Sequence, residues 1–142
     1  MEKIYSKSAE KVGQKILIHI INRLDDIVKG RRDLSHTDEF LQIATLNLEK
    51  GKTFYPHKHL HNLNEFESTR IAQESWIVIK GRIRVILYDL DDEIIKDEIL
   101  MPGDASITFY GGHNYECLEE GSIVYEVKTG PYLGVEFDKV KI

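Results

Sequence analysis

Short apolar segments, separated by turn residues about every ten positions, make up most of the sequence. They include KILIHII from Lys15 to Ile21, FLQIATLNL from Phe40 to Leu48 and SIVYEVK from Ser122 to Lys128. β-Branched and aromatic residues favour strands, and segments this short and evenly spaced are typical of antiparallel sandwiches and barrels. The sequence therefore predicts an all-β fold.

The composition is that of an ordinary soluble domain and disfavours several classes of protein. Hydrophobic residues make up 42% of the 142 residues and charged residues 30%, so we expect a single domain over residues 1–142. The net charge of −5 disfavours a nucleic-acid partner. One cysteine cannot form an intrachain disulfide, which fits a reducing cytoplasm. The polar N-terminus and the lack of a long apolar run indicate no signal peptide and no membrane span.

Histidines are concentrated in the stretch from position 51 to position 81. His57, His59 and His61 occupy alternate positions, so a β-strand would point all three imidazoles to one face. A solvated polar strand face is the alternative interpretation of this H-x-H-x-H run. Farther along the chain, Glu74 supplies a carboxylate, and His113 follows two glycines that allow a close bend. Histidines from one strand, a carboxylate and a distant histidine form a plausible metal shell.

The segments around these histidines have their own predicted structure. A turn at 49–52 leads into the predicted ligand-bearing strand at 53–61. Pro56 lacks an amide donor, so we expect this strand to be a sheet edge or to be bulged there. The polar insertion at 62–69 is expected to loop over the mouth of the site. The last ten residues, 133–142, are predicted to form a tail that packs on the barrel or on a partner.

The spacing of these residues resembles the first cupin motif, G-x5-H-x-H-x3,4-E-x6-G. Its fixed positions are occupied by Gly51, His57, His59, Glu74 and Gly81. The gap between His59 and Glu74 is much longer than is usual in the family. Glu65, Glu67 and His61 are therefore rivals of Glu74 as ligands.

The second cupin motif is present in a degraded form. His113 fits it, whereas Thr108, Tyr110 and Cys117 stand at its proline, second glycine and asparagine positions. Together the two motifs extend the resemblance over residues 40–127, the expected core of the domain, with the N-terminal strand and C-terminal tail packing on it. The resemblance implies a double-stranded β-helix, the jelly-roll barrel, with the site inside its mouth.

The resemblance also implies a set of metal ligands. His57, His59, Glu74 and His113 are the expected ligands of a divalent metal. Neutral imidazoles and a carboxylate suit Zn, Fe, Mn, Ni or Co, and the residue types do not choose among them. His61 shares the face of the other two strand histidines and is an additional candidate, nearer the mouth, for a ligand or a substrate contact.

Catalytic roles are expected for His57, His59, Glu74 and Tyr115. Tyr115 can act as an acid and Glu74 as a base, although packing is the alternative role of the tyrosine. In sugar-nucleotide isomerases of this kind, the paired histidines can be acid and base without metal. Cys117 shares the strand face of His113 and is either a small buried residue or an additional group in the pocket.

Three functions remain compatible with these residues. By analogy to the family, the first is a small metal-dependent isomerase or epimerase that acts on a carbohydrate or a sugar nucleotide. The second is an iron-dependent dioxygenase, and the third is a non-catalytic sugar- or metal-binding cupin. Apolar residues on both faces of the strands near Phe40 and Ile71 also predict a homodimer.

Overall fold

The computed structural model describes residues 1–62 and 70–142. None of the helices in these two ranges is long and apolar enough to cross a membrane. They are α1 (Lys7–Glu10), α2 (Val135–Asp138) and a 3₁₀ helix (Leu24–Asp26). The strands, in chain order, are β1 (Glu2–Tyr5), β2 (Leu17–Ile21), β3 (Gly30–Asp33), β4 (Leu41–Leu48), β5 (His57–His59), β6 (His61–Asn62), β7 (Arg70–Ile71), β8 (Glu74–Lys80), β9 (Ile83–Tyr88), β10 (Ile94–Leu100), β11 (Ala105–Thr108), β12 (Gly112–Cys117), β13 (Ser122–Thr129) and β14 (Lys139–Lys141).

Two five-stranded antiparallel sheets form a double-stranded β-helix. Their strand orders are β10-β9-β12-β5-β14 and β11-β8-β13-β4-β3. Two short pairs, β1 with β2 and β6 with β7, form separate two-stranded sheets. The predicted all-β jelly-roll barrel is confirmed.

The core lies between the two sheets because side chains alternate along their strands. In β8, Trp76 and Val78 are buried, as predicted, whereas Ile77 between them is only partly buried and Ile79 is exposed. Residues of both sheets meet in one buried cluster. It comprises Ala44, Leu46, Leu48, Trp76, Val78, Ile83, Val85, Tyr115, Cys117 and Val124.

The strand that carries the first histidines is shorter and more central than predicted. β5 holds only three residues, and it lies between β12 and β14. The predicted edge position is therefore wrong, whereas the alternative, a bulge, agrees with the one-residue shift between the pairs His57–His113 and Thr53–Glu116. Pro56 precedes the strand, so its missing amide donor removes no hydrogen bond from the paired residues of β5.

The C-terminal tail has regular structure and joins one of the sheets. After α2, β14 pairs antiparallel with β5, with Lys139 opposite His59 and Lys141 opposite His57. The backbone N–H of Leu60 donates a 2.8 Å hydrogen bond to the carbonyl of Asp138. The end of the chain therefore lies beside the histidine strand.

The N-terminal strand lies outside both large sheets. β2 pairs with β1, and its side chains are mostly exposed. Contact with the barrel comes from the following residues, where the Asn22 amide donates a 3.2 Å hydrogen bond to the hydroxyl of Tyr125. Apart from Asn62, the insertion predicted over the site lies outside the described residues.

Candidate metal centre

Four side chains on strands of both sheets meet inside the barrel. His57, His59, Glu74 and His113 each offer a ligand atom, and these atoms all lie within 4.8 Å of one another. All four residues are buried, and His113 is completely inaccessible. The convergence predicted for these four residues is thus present, and the cluster could bind a metal ion.

Strand register brings these side chains together. His57 and His59 share one face of β5, and His113 of β12 stands directly opposite His57 in the ladder. Gly112 allows this close pairing, since a Cβ there would lie 3.3 Å from the carbonyl oxygen of His57. Glu74 begins β8 in the other sheet and closes the cluster from the opposite wall.

Two of the imidazoles are oriented by hydrogen bonds at Nδ1. His57 Nδ1 lies 2.8 Å from the carbonyl oxygen of Tyr55, so it carries the proton and leaves Nε2 with a free lone pair. His113 Nδ1 lies 3.1 Å from the hydroxyl of Thr108. Nε2 of His113 is buried without a hydrogen-bond partner in the described structure. An orphaned buried nitrogen aimed at three other ligand groups fits a metal centre.

Glu74 is ionised at the centre of the cluster. The indole N–H of Trp76 donates a 3.0 Å hydrogen bond to Oε1, and His59 Nε2 lies 3.3 Å from Oε2. Burial alone would raise the pKa of Glu74, but the neighbouring imidazoles of His113, with Nε2 3.5 Å from Oε1, and of His59 hold it well below its usual range. The carboxylate is therefore available as a metal ligand.

The two histidines of β5 have opposite electrostatic environments. Burial lowers the pKa of His57 to about 4, so this imidazole is neutral near pH 7. Burial also opposes the charged form of His59, but Asp138 and Glu74 outweigh it and raise the pKa of His59 to about 9. In the metal-free chain, His59 is an imidazolium held between two carboxylates.

The sequence prediction missed two residues of the C-terminal segment. Asp138 Oδ2 lies 3.5 Å from His59 Nδ1 and 2.9 Å from the ammonium of Lys128. Lys139 Nζ lies 3.5 Å from His57 Nε2. Both are separated from the histidines by almost the whole barrel sequence, so no local spacing could have revealed them.

Tyr115 lies beside the cluster and is held rigidly. Its ring stacks on Trp76 with centroids 4.1 Å apart, and its hydroxyl lies 2.8 Å from Ser106 Oγ. The ring centroid is 5.3 Å from that of His113. Burial raises the pKa of Tyr115, so the phenol stays protonated and can donate a hydrogen bond.

The remaining candidates lie elsewhere or outside the described part of the chain. Cys117 is buried in the core, where its thiol contacts the carbonyl of Glu119 at 3.1 Å. The backbone of His61 pairs with Ile71 in β6 and β7, but its side chain lies outside the described structure. Glu65 and Glu67 also fall outside the described residues.

A cavity of about 250 Å³ adjoins the cluster. His57, Glu74 and Tyr115 form part of its wall, so two of the four candidate ligands border the cavity. Its wall also contains aromatic and charged side chains. They are Phe54, Trp76, Tyr132, Arg31, Asp33, Glu126, Lys128 and Lys139.

Comparison with known proteins identifies the fold through structure alone. No protein-family model matches the chain, and no curated protein matches it. Among solved structures, KdgF from Halomonas sp. is 22% identical with a TM-score of 0.52, over 70% of this chain and 76% of KdgF. A Klebsiella pneumoniae protein with a double-stranded β-helix domain is 17% identical with a TM-score of 0.59, over 82% of this chain and 95% of that one.

A third similar structure is the capsular polysaccharide assembling protein CapF from Staphylococcus aureus. It is 16% identical with a TM-score of 0.62, and the match covers 79% of this chain but only 31% of CapF. At these identities the likeness concerns the fold. It agrees with the two-sheet topology and with the placement of the histidines inside the barrel. The chain therefore has the double-stranded β-helix fold of the cupins.

Proposed function

We propose that this chain is a small metal-dependent cupin enzyme, of the isomerase or epimerase type, that acts on a carbohydrate. The observation that carries the proposal is the buried cluster of three histidines and Glu74 in contact with a cavity. Three imidazoles and one carboxylate leave coordination positions open for substrate or water, as catalytic centres do.

The residue types suit Zn, Fe, Mn or Ni. His57, His59, Glu74 and His113 would hold the ion, and the hydrogen bonds at Nδ1 of His57 and His113 keep the other ring nitrogen turned toward it. When bound, the ion supplies a Lewis acid that polarises a carbonyl or hydroxyl group of the substrate.

The remaining cavity wall suits a sugar. The partly exposed rings of Phe54 and Tyr132 offer apolar surface, while charged groups alongside them offer hydrogen bonds to hydroxyls. Isomerisation and epimerisation move a proton, and the protonated hydroxyl of Tyr115 provides a donor beside the cluster. The name of CapF, a capsular polysaccharide assembling protein, supports a carbohydrate substrate by analogy of fold.

Metal analysis of protein purified without a histidine tag tests the metal centre. We expect one divalent ion per chain, and at least about 100-fold weaker binding in His57→Ala, because a direct ligand contributes more than the groups that orient it. His57 is preferred to His59 for this test, since removing His59 would take a charged partner from two buried carboxylates, Glu74 and Asp138. His36→Ala is the matched control, because His36 is exposed and outside the cluster.

Turnover of sugars and nucleotide sugars, followed by NMR, tests the reaction. Conversion of a sugar by the metal-loaded chain and not by His57→Ala supports the proposal. Iron with oxygen consumption would indicate a dioxygenase instead. Conversion without metal would assign acid and base roles to the histidines, and tight metal or sugar binding without any turnover would indicate a binding protein.

A further inference from the structure

The C-terminal segment places the buried carboxylate of Asp138 next to the Nδ1 side of the His59 ring. Asp138 ends α2 and is only 6% exposed. Its Oδ2 lies 3.5 Å from His59 Nδ1, on the side of the ring opposite Glu74, which lies 3.3 Å from Nε2. The imidazole therefore stands between two carboxylates on two different elements.

Asp138 is itself held in place. The ammonium of Lys128, from β13, lies 2.9 Å from the same Oδ2 and is buried. The carbonyl of Asp138 accepts the backbone hydrogen bond from Leu60, next to His59. Because the ion pair and the backbone hydrogen bond hold Asp138 in place, its carboxylate can fix the orientation of the His59 ring.

We propose that Asp138 is a positioning residue that sets the ring orientation of His59. A metal-bound histidine needs a partner for its second ring nitrogen, and a carboxylate there fixes the ring and strengthens its basicity. His57 and His113 obtain such partners from Tyr55 and Thr108. Nδ1 of His59 forms no hydrogen bond in the described structure, and the carboxylate of Asp138 faces it at 3.5 Å. The proposal concerns the metal centre and holds for any substrate.

Asp138→Asn tests this role through metal affinity, measured by competition with a chelator. We expect binding about 10- to 100-fold weaker, with the ion still bound at saturation, because the four ligands remain. The absorption spectrum of the Co²⁺-loaded protein should also change, since the ligand geometry relaxes. Glu136→Gln is the matched control, because Glu136 lies in the same helix but is exposed.

Metal affinity in Asp138→Asn, compared with that in Glu136→Gln, tests the positioning role of Asp138. Unchanged affinity and an unchanged Co²⁺ spectrum in Asp138→Asn would overturn the proposal, as would an equal loss in Glu136→Gln. If Asp138→Asn fails to fold because Lys128 is left unpaired, the double variant Lys128→Met with Asp138→Leu removes the whole ion pair. That variant should fold and show the same loss, and wild-type affinity in it would equally contradict the role.

A second observation concerns Lys139, the next residue along the chain. Its ammonium faces the cavity and contacts His57 Nε2 at 3.5 Å. The other cations of the cavity wall are paired, Arg31 with Glu126 at 2.7 Å and Lys128 with Asp138. Within residues 1–62 and 70–142, Lys139 forms no ion pair.

Metal binding would take away the acceptor that Lys139 uses. The lone pair on His57 Nε2 cannot serve both a metal ion and an ammonium hydrogen. The half-buried ammonium then faces the cavity beside a divalent charge, where its acceptor is water or a group of the ligand. A small anionic group on the ligand satisfies both charges.

We infer that the ligand of this site carries an anionic oxygen group, a carboxylate or a phosphate, bound by Lys139. The inference rests on the proposed carbohydrate function and narrows it to an acidic sugar. A cavity of about 250 Å³ suits a ligand of monosaccharide size.

Calorimetry on the zinc-loaded chain tests the inference with glucuronate, glucose 6-phosphate, glucose and acetate. We expect at least one of the two charged sugars to bind about tenfold or more tightly than glucose, the gain typical of a hydrogen bond to a charged group. Lys139→Gln should remove this preference and leave glucose binding intact. Lys141→Gln is the control, because Lys141 lies on the same strand and is exposed.

The four probes distinguish failure of the anion site at Lys139 from failure of the proposed carbohydrate function. Binding of acetate but of no sugar, lost in Lys139→Gln, would support the anion site and contradict the carbohydrate function. Preference for glucuronate alone identifies a carboxylate, and preference for glucose 6-phosphate alone identifies a phosphate. Equal binding of charged and neutral sugars, an intact preference in Lys139→Gln, or no binding of any probe would overturn the inference.

Discussion

His59 is the residue on which the electrostatics of the site depend. It is buried between Glu74 and Asp138, and it is protonated in the metal-free chain because these carboxylates raise its pKa to about 9. A metal ligand must be a neutral imidazole, so binding of an ion releases this proton. In the metal-free chain, the positive charge of protonated His59 offsets the negative charges of Glu74 and Asp138. A bound metal ion would supply the positive charge instead.

This pairing predicts how the stability of the metal-free chain depends on pH. The pKa of His59 is about 9 in the folded chain, against 6.5 ordinarily. Its ion pairs therefore contribute fully below pH 6.5 and are lost as the pH rises through 9. We expect the free energy of unfolding to fall by ~3 kcal/mol over this range, measured by urea titration of the apoprotein.

Below pH 6.5 the dependence on pH has the opposite sign, and the free energy of unfolding falls as the pH is lowered. His57 has a pKa of about 4 in the folded chain, so the unfolded chain takes up its proton first and stability falls from pH 6.5 toward 4. Asp138, with a pKa of about 2, loses its contribution as the pH drops below 3.8. Stability should therefore be greatest near pH 6.5, and the His36→Ala control should follow the same curve. A flat profile between pH 6.5 and 9 would rule out the ion pairs of His59.

At the scale of the elements, alternation along the strands predicts much of the site. His113 lies on the inner face because its apolar neighbours of the same parity, Tyr115 and Cys117, are buried, and the alternation of His57 and His59 puts both imidazoles on one face of β5. The spacing of Glu74 to the following glycine identifies the carboxylate despite the long insertion. Local pattern suffices for Glu74 and His113 because each shares a strand face with core residues, Trp76 in β8 and Cys117 in β12.

Local pattern could not reveal the C-terminal part of the site. Asp138 and Lys139 reach the histidines only because β14 adds to β5 as a neighbouring strand. That pairing is set by the tertiary structure, and no hydrophobic periodicity within residues 133–142 predicts it. The same pairing makes β5 internal to its sheet, which is why Pro56 misled the prediction of an edge strand.

At the scale of the whole molecule, the outer face of the sheet β11-β8-β13-β4-β3 carries exposed apolar side chains. Leu41, Ile79 and Ile107 lie on it and are exposed, whereas their neighbours Val78 and Ser106 point inward and are buried. A broad apolar surface of this kind commonly marks an interface between protein chains. The strands named in the sequence prediction of a dimer, β4 and β8, both belong to this sheet.

We propose that two copies of the chain associate through this outer face. An isologous contact buries the same apolar patch on both copies, which is the usual geometry of a homodimer.

Light scattering at micromolar concentration should give twice the chain mass of 16.5 kDa. Replacing Ile79 and Ile107 together by lysine should give the monomer mass, because two buried charges at a symmetric contact repel each other and lose hydration. Ile95→Lys is the matched control, since Ile95 is also exposed but lies on β10 of the other sheet, and it should remain dimeric. A monomeric wild-type chain would exclude the dimer, and dissociation by Ile95→Lys alone would move the interface to the sheet that carries His57 and His113.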